Sequence, residues 1–250
     1  MEGNDPIISL SHVDAGYPGV VILHDVSFEV ARGEIFILLG GSGCGKSTLL
    51  KHMIGLNPIL GGRLVVTGME WGAKTREQLT RRIGVMYQSG ALFGSMTCLE
   101  NVMLPLEEFS RLKRQERVRR AMELLESVEL ADAAGKMPSE ISGGMRKRVA
   151  IARAMALDPE VVFLDEPSAG LDPLTSCSLD ELILRLREER GMTFVVVTHE
   201  LPSIFKIADR AAMFDKARSG MVALGSPKAL KEGSDDPFVR KFFNRGEING

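Results

Sequence analysis

One glycine-rich segment limits what this chain of 250 residues can fold into. Residues 40–47 read GGSGCGKS and match the pattern G-x-x-x-x-G-K-S/T. The segment directly follows an apolar run at 35–39 and leads into a stretch, 47–54, that reads as a helix. Glycines let the backbone curl so that its N–H groups converge, and the helix N-terminus adds a partial positive charge. The segment therefore predicts a phosphate-binding loop between a buried strand and a helix.

The positions of this loop predict contacts with a nucleotide and with Mg²⁺. Lys46 would reach the β- and γ-phosphates, and the Ser47 hydroxyl would ligate the metal. The alternative is a glycine-rich turn without a ligand, but a chance match in a chain of this length has odds on the order of one in a hundred. The nucleotide contacts expected in this segment are Gly40, Gly41, Ser42, Gly43, Cys44, Gly45, Lys46, Ser47 and Thr48.

Apolar runs and helical stretches alternate along the chain. The runs at 161–164 and 194–198 resemble the run before the loop, and each follows a helical stretch, at 144–157 and 178–189 respectively. Runs that are apolar at every position are typical of parallel strands buried on both faces. Residues 7–30 instead alternate in short pieces, which predicts antiparallel strands. The fold class that follows is α/β.

Residues 111–130 predict one more helix. Val118, Met122, Leu125 and Val128 recur there at helical spacing among charged residues, which indicates one buried face. No linker rich in Pro, Gly or Ser divides the chain, so one domain with insertions fits better than two.

Two carboxylates, Asp165 and Glu166, directly follow the apolar run at 161–164. Ligands of a parallel sheet bind outside the carboxyl ends of the strands, so these acids should face the phosphate-binding loop. Asp165 would hold Mg²⁺ through its water shell, and Glu166 would polarise the water that attacks the γ-phosphate. Taken alone, an acidic pair after a strand is about as often a solvated turn. Next to a phosphate-binding loop, it is the expected second half of the site.

The composition excludes several classes of protein. With 31 Lys and Arg against 33 Asp and Glu, the net charge of −2 gives no overall field toward nucleic acid, so no nucleic-acid partner is expected. Cys44, Cys98 and Cys177 lack metal-ligand spacing and are expected to be free thiols in a reducing compartment. The N-terminus does not resemble a secretion signal, and no apolar run is long enough to span a bilayer. We therefore expect a cytoplasmic protein that touches a membrane only through a partner.

Further motifs complete the pattern of a known family. The segments 141–145 (ISGGM) and 168–172 (SAGLD), followed by His199 after an apolar run, resemble the ATP-binding cassette (ABC) transporter ATPases over nearly the whole chain. The resemblance implies a single nucleotide-binding domain spanning 1–250, with a P-loop (RecA-like) core, a small antiparallel β subdomain, a helical insertion at about 95–145 and a tail at about 226–250. It also implies ATP and Mg²⁺ as cofactors and a head-to-tail homodimer that holds two ATP molecules at its interface.

The resemblance assigns roles to residues outside the loop. Tyr17 is expected to stack on adenine, and Gln88 to sense Mg²⁺ and water. His199 is expected to contact the γ-phosphate. Judged alone, Gln88 carries no information, and Tyr17 and His199 are more often structural. Catalysis is then expected from Glu166, His199, Lys46 and Gln88, and metal ligation from Ser47, Gln88 and Asp165.

The segment 141–145 is the signature loop of this family. Ser142, Gly143 and Gly144 are expected to cap the ATP held by the partner subunit, and Asp172 of the later segment is also expected near nucleotide. Ser142 is a good N-cap, and the glycines expose N–H groups at the helix N-terminus, although an N-cap and nothing more is the alternative. The chain departs from the family pattern in two places. Met145 stands where Gln is usual, and Gly41 replaces a frequent Pro or Arg.

Three stretches are similar to one subgroup of the family. Residues 88–93, 136–148 and 235–243 are similar to the ATPases that work with Mce-domain lipid-binding proteins, a group that includes the bacterial lipid-asymmetry (Mla) phospholipid transporter. This implies an ATPase subunit at the cytoplasmic face of the inner membrane, which moves lipid with a separate permease and an Mce-domain protein. The alternative cargo is an amino acid or another small solute. A non-transport cassette would need a coiled-coil insertion, a second cassette or a basic face, and none is visible.

Two apolar clusters are candidates for partner contacts. In the family, the region from Gln88 to Thr97 forms a groove for a coupling helix of the permease, and Leu92, Phe93 and Met96 lie in it. Ordinary core packing is the alternative for each. Residues 238 and 242 are both Phe and share a helical face, and we expect this tail helix to pack on the core of its own chain.

Overall fold

The computed structural model describes residues 5–244. Within this range the chain forms ten strands and nine α-helices, with two 3₁₀ turns at Ala131–Ala133 and Pro138–Glu140. The strands are β1 (Ile8–Tyr17), β2 (Val20–Val30), β3 (Ile35–Gly40), β4 (Gly61–Val66), β5 (Met69–Glu70), β6 (Ile83–Met86), β7 (Val161–Asp165), β8 (Thr193–Val197), β9 (Arg210–Asp215) and β10 (Gly220–Gly225). The helices are α1 (Lys46–Met53), α2 (Arg76–Arg82), α3 (Cys98–Phe109), α4 (Arg114–Ser127), α5 (Gly143–Ala154), α6 (Pro173–Arg190), α7 (Leu201–Ile207), α8 (Pro227–Gly233) and α9 (Pro237–Phe243).

A six-stranded sheet in the order β10-β9-β3-β8-β7-β6 forms the centre of the fold. Strands β9, β3, β8, β7 and β6 are parallel, and β10 joins the edge antiparallel to β9. Strands β3 and β8 are buried at every position, and β7 is buried at all but its last residue. The apolar runs at 35–39, 161–164 and 194–198 are thus the central parallel strands, as predicted, and the α/β fold class is confirmed.

Strand β3 divides the hydrophobic core in two because successive side chains of a strand point to opposite faces. Ile35, Ile37 and Leu39 pack into a cluster with residues of helices α3 to α9. Phe36 and Leu38 pack into a second cluster with residues of α1 and of the antiparallel strands. A run that is apolar at every position is therefore required, since neither face of the strand meets solvent.

The predicted antiparallel strands form a separate four-stranded sheet in the order β2-β1-β4-β5. Strands β1 and β2 are a hairpin in which Tyr17 pairs with Val20 beside the turn. The inner face of this sheet packs on the central sheet, where the rings of Phe28 and Phe36 stack with centroids 5.0 Å apart. The hairpin end at Tyr17 lies beside the phosphate-binding loop, since Tyr17 and residues 43–48 line one hollow.

The region between β6 and β7 is helical. Helix α4 is shorter than the predicted 111–130 because the carboxylate of Glu116 accepts the backbone N–H of Lys113 and fixes its start. The predicted apolar face is confirmed, since Leu125 and Val128 are buried and Val118 and Met122 pack partly buried against the same core.

Helix α6 begins five residues before the predicted start at residue 178. Asp172 is its N-cap and accepts the N–H groups of Leu174 and Thr175, while Pro173 occupies the first position, where a missing N–H costs nothing. The remaining elements were not predicted individually from the sequence: β4, β5, β6, β9, β10, α2, α7 and α8.

Helix α9 of the C-terminal tail packs against the core of its own chain. Asp236 caps α9 by accepting the N–H of Phe238, and Val239, Phe242 and Phe243 are buried against the core. The predicted packing of this helix is therefore confirmed, although Val239 and Phe243 are buried more deeply than Phe238. Residues 245–250 of the predicted tail lie outside the described residues. No helix within residues 5–244 is long and apolar enough to cross a membrane.

We expect Gly84→Ala to lower the free energy of unfolding by about 1–3 kcal/mol. A Cβ at Gly84 would overlap the carbonyl oxygen of Ala154, so strand β6 and helix α5 would have to separate. The matched control is Gly94→Ala, because an added Cβ there meets nothing within 4 Å. Urea denaturation of the purified variants measures both changes. Equal stability of the two variants would contradict the close approach of β6 to α5.

Candidate nucleotide-binding site

The phosphate-binding loop runs from the end of β3 to the start of α1. Gly40, Gly43 and Gly45 have positive φ angles of 146°, 72° and 101°, a region that favours glycine. A Cβ at Gly45 would lie 2.8 Å from Cγ of Leu23, and one at Gly40 would overlap the carbonyl oxygen of Phe214. These glycines are needed both for the turn and for the close packing around it.

Lys46 lies across this loop. Its Nζ donates hydrogen bonds of 2.9 Å to the carbonyl oxygens of Gly40 and Gly41 and lies 3.6 Å from Sγ of Cys44. The side chain is buried, so the loop holds a cation where phosphate oxygens are expected to bind. Cys44 is also buried, and its thiol packs into the second hydrophobic cluster.

Asp165 and Glu166 lie at the carboxyl end of β7, as predicted. Glu166 adopts a left-handed backbone conformation with φ of 47°, and its N–H donates to the carbonyl oxygen of Val197 at 2.9 Å. Within residues 5–244, Asp165 Oδ1 and Glu166 Oε2 are buried and accept no hydrogen bond. Burial raises the pKa of Asp165 above its ordinary value, and the adjacent Glu166 raises it further, while Lys51 and Lys46 act in the opposite direction.

His199 pairs with Glu166 beside the loop. Its Nδ1 lies 2.9 Å from Oε1 of Glu166, and more than half of the imidazole is exposed to the cleft. The cleft has a volume of about 500 Å³. It is lined by Gly40, Gly41, Ser42, Gly43, Lys46, Ser47, Gln88, Glu166 and His199. The structure therefore brings together the four residues that the sequence predicts to be catalytic.

Tyr17 lines an adjoining hollow of about 300 Å³ with Ile22 and residues 43–48 of the loop. Tyr17 is 42% exposed, so a ligand in this hollow can reach it. His52 fixes this corner because its Nε2 accepts the N–H of Gly16 at 3.0 Å and its Nδ1 donates to the carbonyl oxygen of Asn57. Sequence reasoning missed His52, because a histidine among the mixed polar and apolar residues of α1 gives no signal of these contacts.

The signature loop lies outside this cleft. Ser142 is the predicted N-cap of α5 and accepts the N–H of Met145 at 3.2 Å. Gly144 packs so closely against Thr175 of α6 that a Cβ would overlap its Cγ2. Hydrogen bonds from Thr175 lower the pKa of Asp172, which is exposed. The signature loop and the segment around Asp172 thus form one surface, and their residues do not line the cleft.

Three polar side chains that sequence reasoning missed hold the segment after Gln88. Lys147 donates to the carbonyl oxygen of Gln88, and Arg153 donates to those of Gly90 and Ala91 at 2.7 and 2.8 Å. Asn101 is fully buried. It accepts the N–H of Phe93 and donates to the carbonyl oxygens of Phe93, Met96 and Thr97.

The predicted metal ligands suit Mg²⁺: Ser47 and Gln88 line the cleft, and Asp165 directly precedes Glu166, which also lines it. Ser47, Gln88 and Asp165 offer oxygen atoms, which this hard cation prefers over nitrogen and sulfur. A buried carboxylate oxygen without a donor, as at Asp165 Oδ1, costs free energy unless a cation or water satisfies it. The predicted metal ligands therefore fit the ion.

The fold and the site define an ATP-binding cassette ATPase. Residues 23–169 match the family model described as ABC transporter, which is more than half of the chain. The chain belongs to the ABC transporter family as an ATP-binding subunit.

Curated relatives agree with this assignment. The chain is 40% identical over 226 residues to the intermembrane phospholipid transport system ATP-binding protein MlaF of Escherichia coli (strain K12), covering 89% of this chain and 83% of the relative. It is 39% identical over 230 residues to the "Probable ribonucleotide transport ATP-binding protein mkl" of Mycobacterium leprae, covering 91% of this chain and 65% of the relative. It is 38% identical over 218 residues to the methionine import ATP-binding protein MetN of Carboxydothermus hydrogenoformans, covering 85% of this chain and 64% of the relative. The chain thus spans slightly less than two thirds of the length of the mkl and MetN relatives.

Solved structures share the architecture. An ATP-binding cassette seen as a dimer in a post-hydrolysis state with ADP and Pi superposes with a TM-score of 0.79 at 30% identity, covering 88% of this chain and 98% of that chain. CbiO1 from Clostridium perfringens, part of the ABC transporter complex cbiONQ, superposes with a TM-score of 0.83 at 26% identity, covering 98% and 97%. The predicted P-loop core with its small antiparallel β subdomain is confirmed.

We expect Gly45→Ala to weaken ATP binding by about tenfold or more, because a side chain there is strained by the positive φ angle and collides with Leu23. The control is Gly72→Ala, where the added Cβ has room and lies outside the cleft. Titration with a fluorescent ATP analogue measures both affinities. Unchanged affinity in Gly45→Ala would contradict the placement of the loop.

Proposed function

We propose that this chain is the ATP-hydrolysing subunit of a membrane transporter that moves phospholipid or another lipid together with an Mce-domain partner. The observation that carries the hydrolytic part is the Glu166–His199 pair at the mouth of the phosphate-binding loop. Glu166 Oε2 is buried and accepts no hydrogen bond within residues 5–244, so the carboxylate keeps one oxygen without a donor.

The polar groups at the cleft have distinct roles in the proposed hydrolysis. Lys46 exchanges its carbonyl partners for β- and γ-phosphate oxygens. Glu166 accepts a proton as water attacks the γ-phosphate, and His199 holds that carboxylate through Nδ1. The imidazole of His199 is also exposed to the cleft, where a ring nitrogen can donate to a γ-phosphate oxygen. Mg²⁺, held by Ser47, Gln88 and Asp165, would neutralise charge that develops on the phosphates.

The complete site is expected to need two subunits. Ser142, Gly143 and Gly144 present the N-terminus of α5 on a surface separate from the cleft, so they can cap only an ATP molecule that another subunit holds. The solved cassette bound to ADP and Pi is dimeric, which supports a homodimer of this chain, and we propose that its subunits pair head to tail.

The segment from Gln88 to Thr97 is the proposed contact for the permease. Phe93 is half exposed there, beside Leu92 and Met96, and Asn101 fixes the backbone that carries it. Gln88 begins this segment and also lines the nucleotide cleft. A conformational change in the cleft therefore passes through only a few residues to the exposed surface around Phe93. The chain would then work at the cytoplasmic face of the inner membrane.

The cargo is the part of the proposal that similarity supports. MlaF, a phospholipid transport ATPase by its name, is 40% identical to the chain, which covers 83% of its length. MetN, a methionine import ATPase by its name, is 38% identical, which keeps import of an amino acid or another small solute as the second candidate.

We expect Glu166→Gln to reduce phosphate release by about 100-fold or more while ATP binding remains, because the amide cannot accept the proton of the attacking water. With ATP present, the variant should accumulate as a dimer in size-exclusion chromatography. The control is Glu189→Gln, an exposed carboxylate at the end of α6. Wild-type turnover in Glu166→Gln would exclude Glu166 as the base.

We expect Phe93→Asp to lower the recovery of co-purifying permease by about tenfold, since a charge would replace an apolar contact residue. Phosphate release by the isolated chain should stay within about twofold of wild type. Leu224→Asp, a similarly exposed position on β10, is the control. Equal permease recovery from both variants would place the permease contact elsewhere.

The cargo is tested by affinity purification of the chain from detergent-solubilised membranes of its source, followed by mass spectrometry of proteins and lipids. Lipid transport predicts a multi-span permease, an Mce-domain protein and bound phospholipid. A permease with a solute-binding protein and no enriched lipid would favour the second candidate.

A further inference from the structure

Lys147 is a buried cation without a role in the hydrolytic scheme above. It lies one turn into α5, the helix that begins at the signature loop, and its residue exposure is 7%. It does not line the nucleotide cleft. Burying an ammonium group is unfavourable unless other groups compensate, so its partners indicate what the position requires.

Within residues 5–244, both hydrogen-bond partners of Lys147 are backbone carbonyls of residues that line the cleft. Nζ donates to the carbonyl oxygen of Gln88 and, at 3.3 Å, to that of Glu166. Gln88 lies just beyond β6, and Glu166 just beyond β7, so one side chain of α5 spans the ends of two strands. Burial lowers the pKa of Lys147, while Asp165 and Glu166 act in the opposite direction and favour its charged form.

The hydrogen bond from Lys147 to Glu166 holds a residue whose backbone conformation is strained. A non-glycine residue with φ of 47° persists only where the surroundings hold it. The peptide groups of Glu166 are held on both sides, because its N–H donates to Val197 and its carbonyl oxygen accepts from Lys147. Without the second bond, the backbone can turn toward an unstrained conformation and carry the carboxylate away from the cleft.

We propose that Lys147 is a positioning residue that fixes the backbones of Gln88 and Glu166 relative to the signature helix. Because Lys147 follows Ser142 by five residues on one rigid helix, it lies about 7.5 Å along the axis from the signature loop. A displacement of α5 as the signature loop captures the partner's nucleotide therefore reaches the catalytic carboxylate of its own subunit. This inference rests on the proposed function, since it assumes hydrolysis through Glu166.

The test compares Lys147→Met with wild type in steady-state phosphate release and in ATP binding by a fluorescent analogue. Met keeps the length of the side chain but has no donor. We expect kcat to fall about tenfold or more, because a small misplacement of a catalytic group has a large effect on rate. KM and the Kd for the analogue should stay within about twofold. Lys228→Met, an exposed lysine of α8, is the control and should match wild type.

A second variant separates positioning from stability. Gln in Lys147→Gln keeps two N–H donors on a side chain one bond shorter, so it should restore part of the kcat lost in Lys147→Met. If Lys147→Met does not fold, the Gln variant alone is measured and should show reduced kcat at unchanged KM. A purely structural role would instead lower the melting temperature and reduce ATP binding together with kcat.

Three outcomes would overturn the inference: wild-type kcat in Lys147→Met, a loss of ATP affinity equal to the loss of kcat, or no higher kcat in Lys147→Gln than in Lys147→Met. Failure of the proposed function is distinguishable from these. It would appear as ATP binding without phosphate release in the wild-type chain itself, before any variant is compared.

Discussion

The parallel pairing of β3, β8 and β7 is the interaction on which the nucleotide site depends. Leu38 of β3 pairs with Val197 of β8, and Val197 pairs with Asp165 of β7, so the three strands end at one edge of the sheet. The hydrogen bond from the N–H of Glu166 to Val197 extends this ladder by one residue beyond β7. The phosphate-binding loop, the acidic pair and His199 therefore meet although they are far apart along the chain. A shift in strand register would separate them before any cleft residue was changed.

Much of this arrangement could be predicted from the sequence because its signals are local. A fully apolar run reports burial on both faces, and the glycines of the loop report a turn that other residues cannot make. The start of α6 was placed too late because residues 173–177 carry little apolar periodicity, although Asp172 and Pro173 are strong start signals. The contacts of Lys147 could not be predicted, since its partners are backbone carbonyls 59 and 19 residues away along the chain. Every residue type has a backbone carbonyl, so the sequence at those positions does not reveal the contact.

Buried polar side chains organise the edges of the site. His52 fixes the hairpin beside Tyr17, Lys147 and Arg153 hold the segment after Gln88, and Asn101 fixes the backbone around Phe93. Lys147, Arg153 and Asn101 bond to main-chain atoms of loop residues, whereas His52 bonds to the main chain of Gly16 near the end of β1. The hydrophobic core thus determines where the elements lie, and these few side chains determine the shape of the loops between them.

The hydrogen bonds of Asn101 have a consequence for the contact with a permease that we propose at Phe93. They define the conformation of the segment around Phe93 from within the chain, with no second protein present. A surface that is preorganised in this way loses little conformational entropy on association, and a larger share of encounters proceeds to a bound complex. Exchange of this subunit between transporter assemblies would then be limited by dissociation of the old complex and not by refolding of the loop.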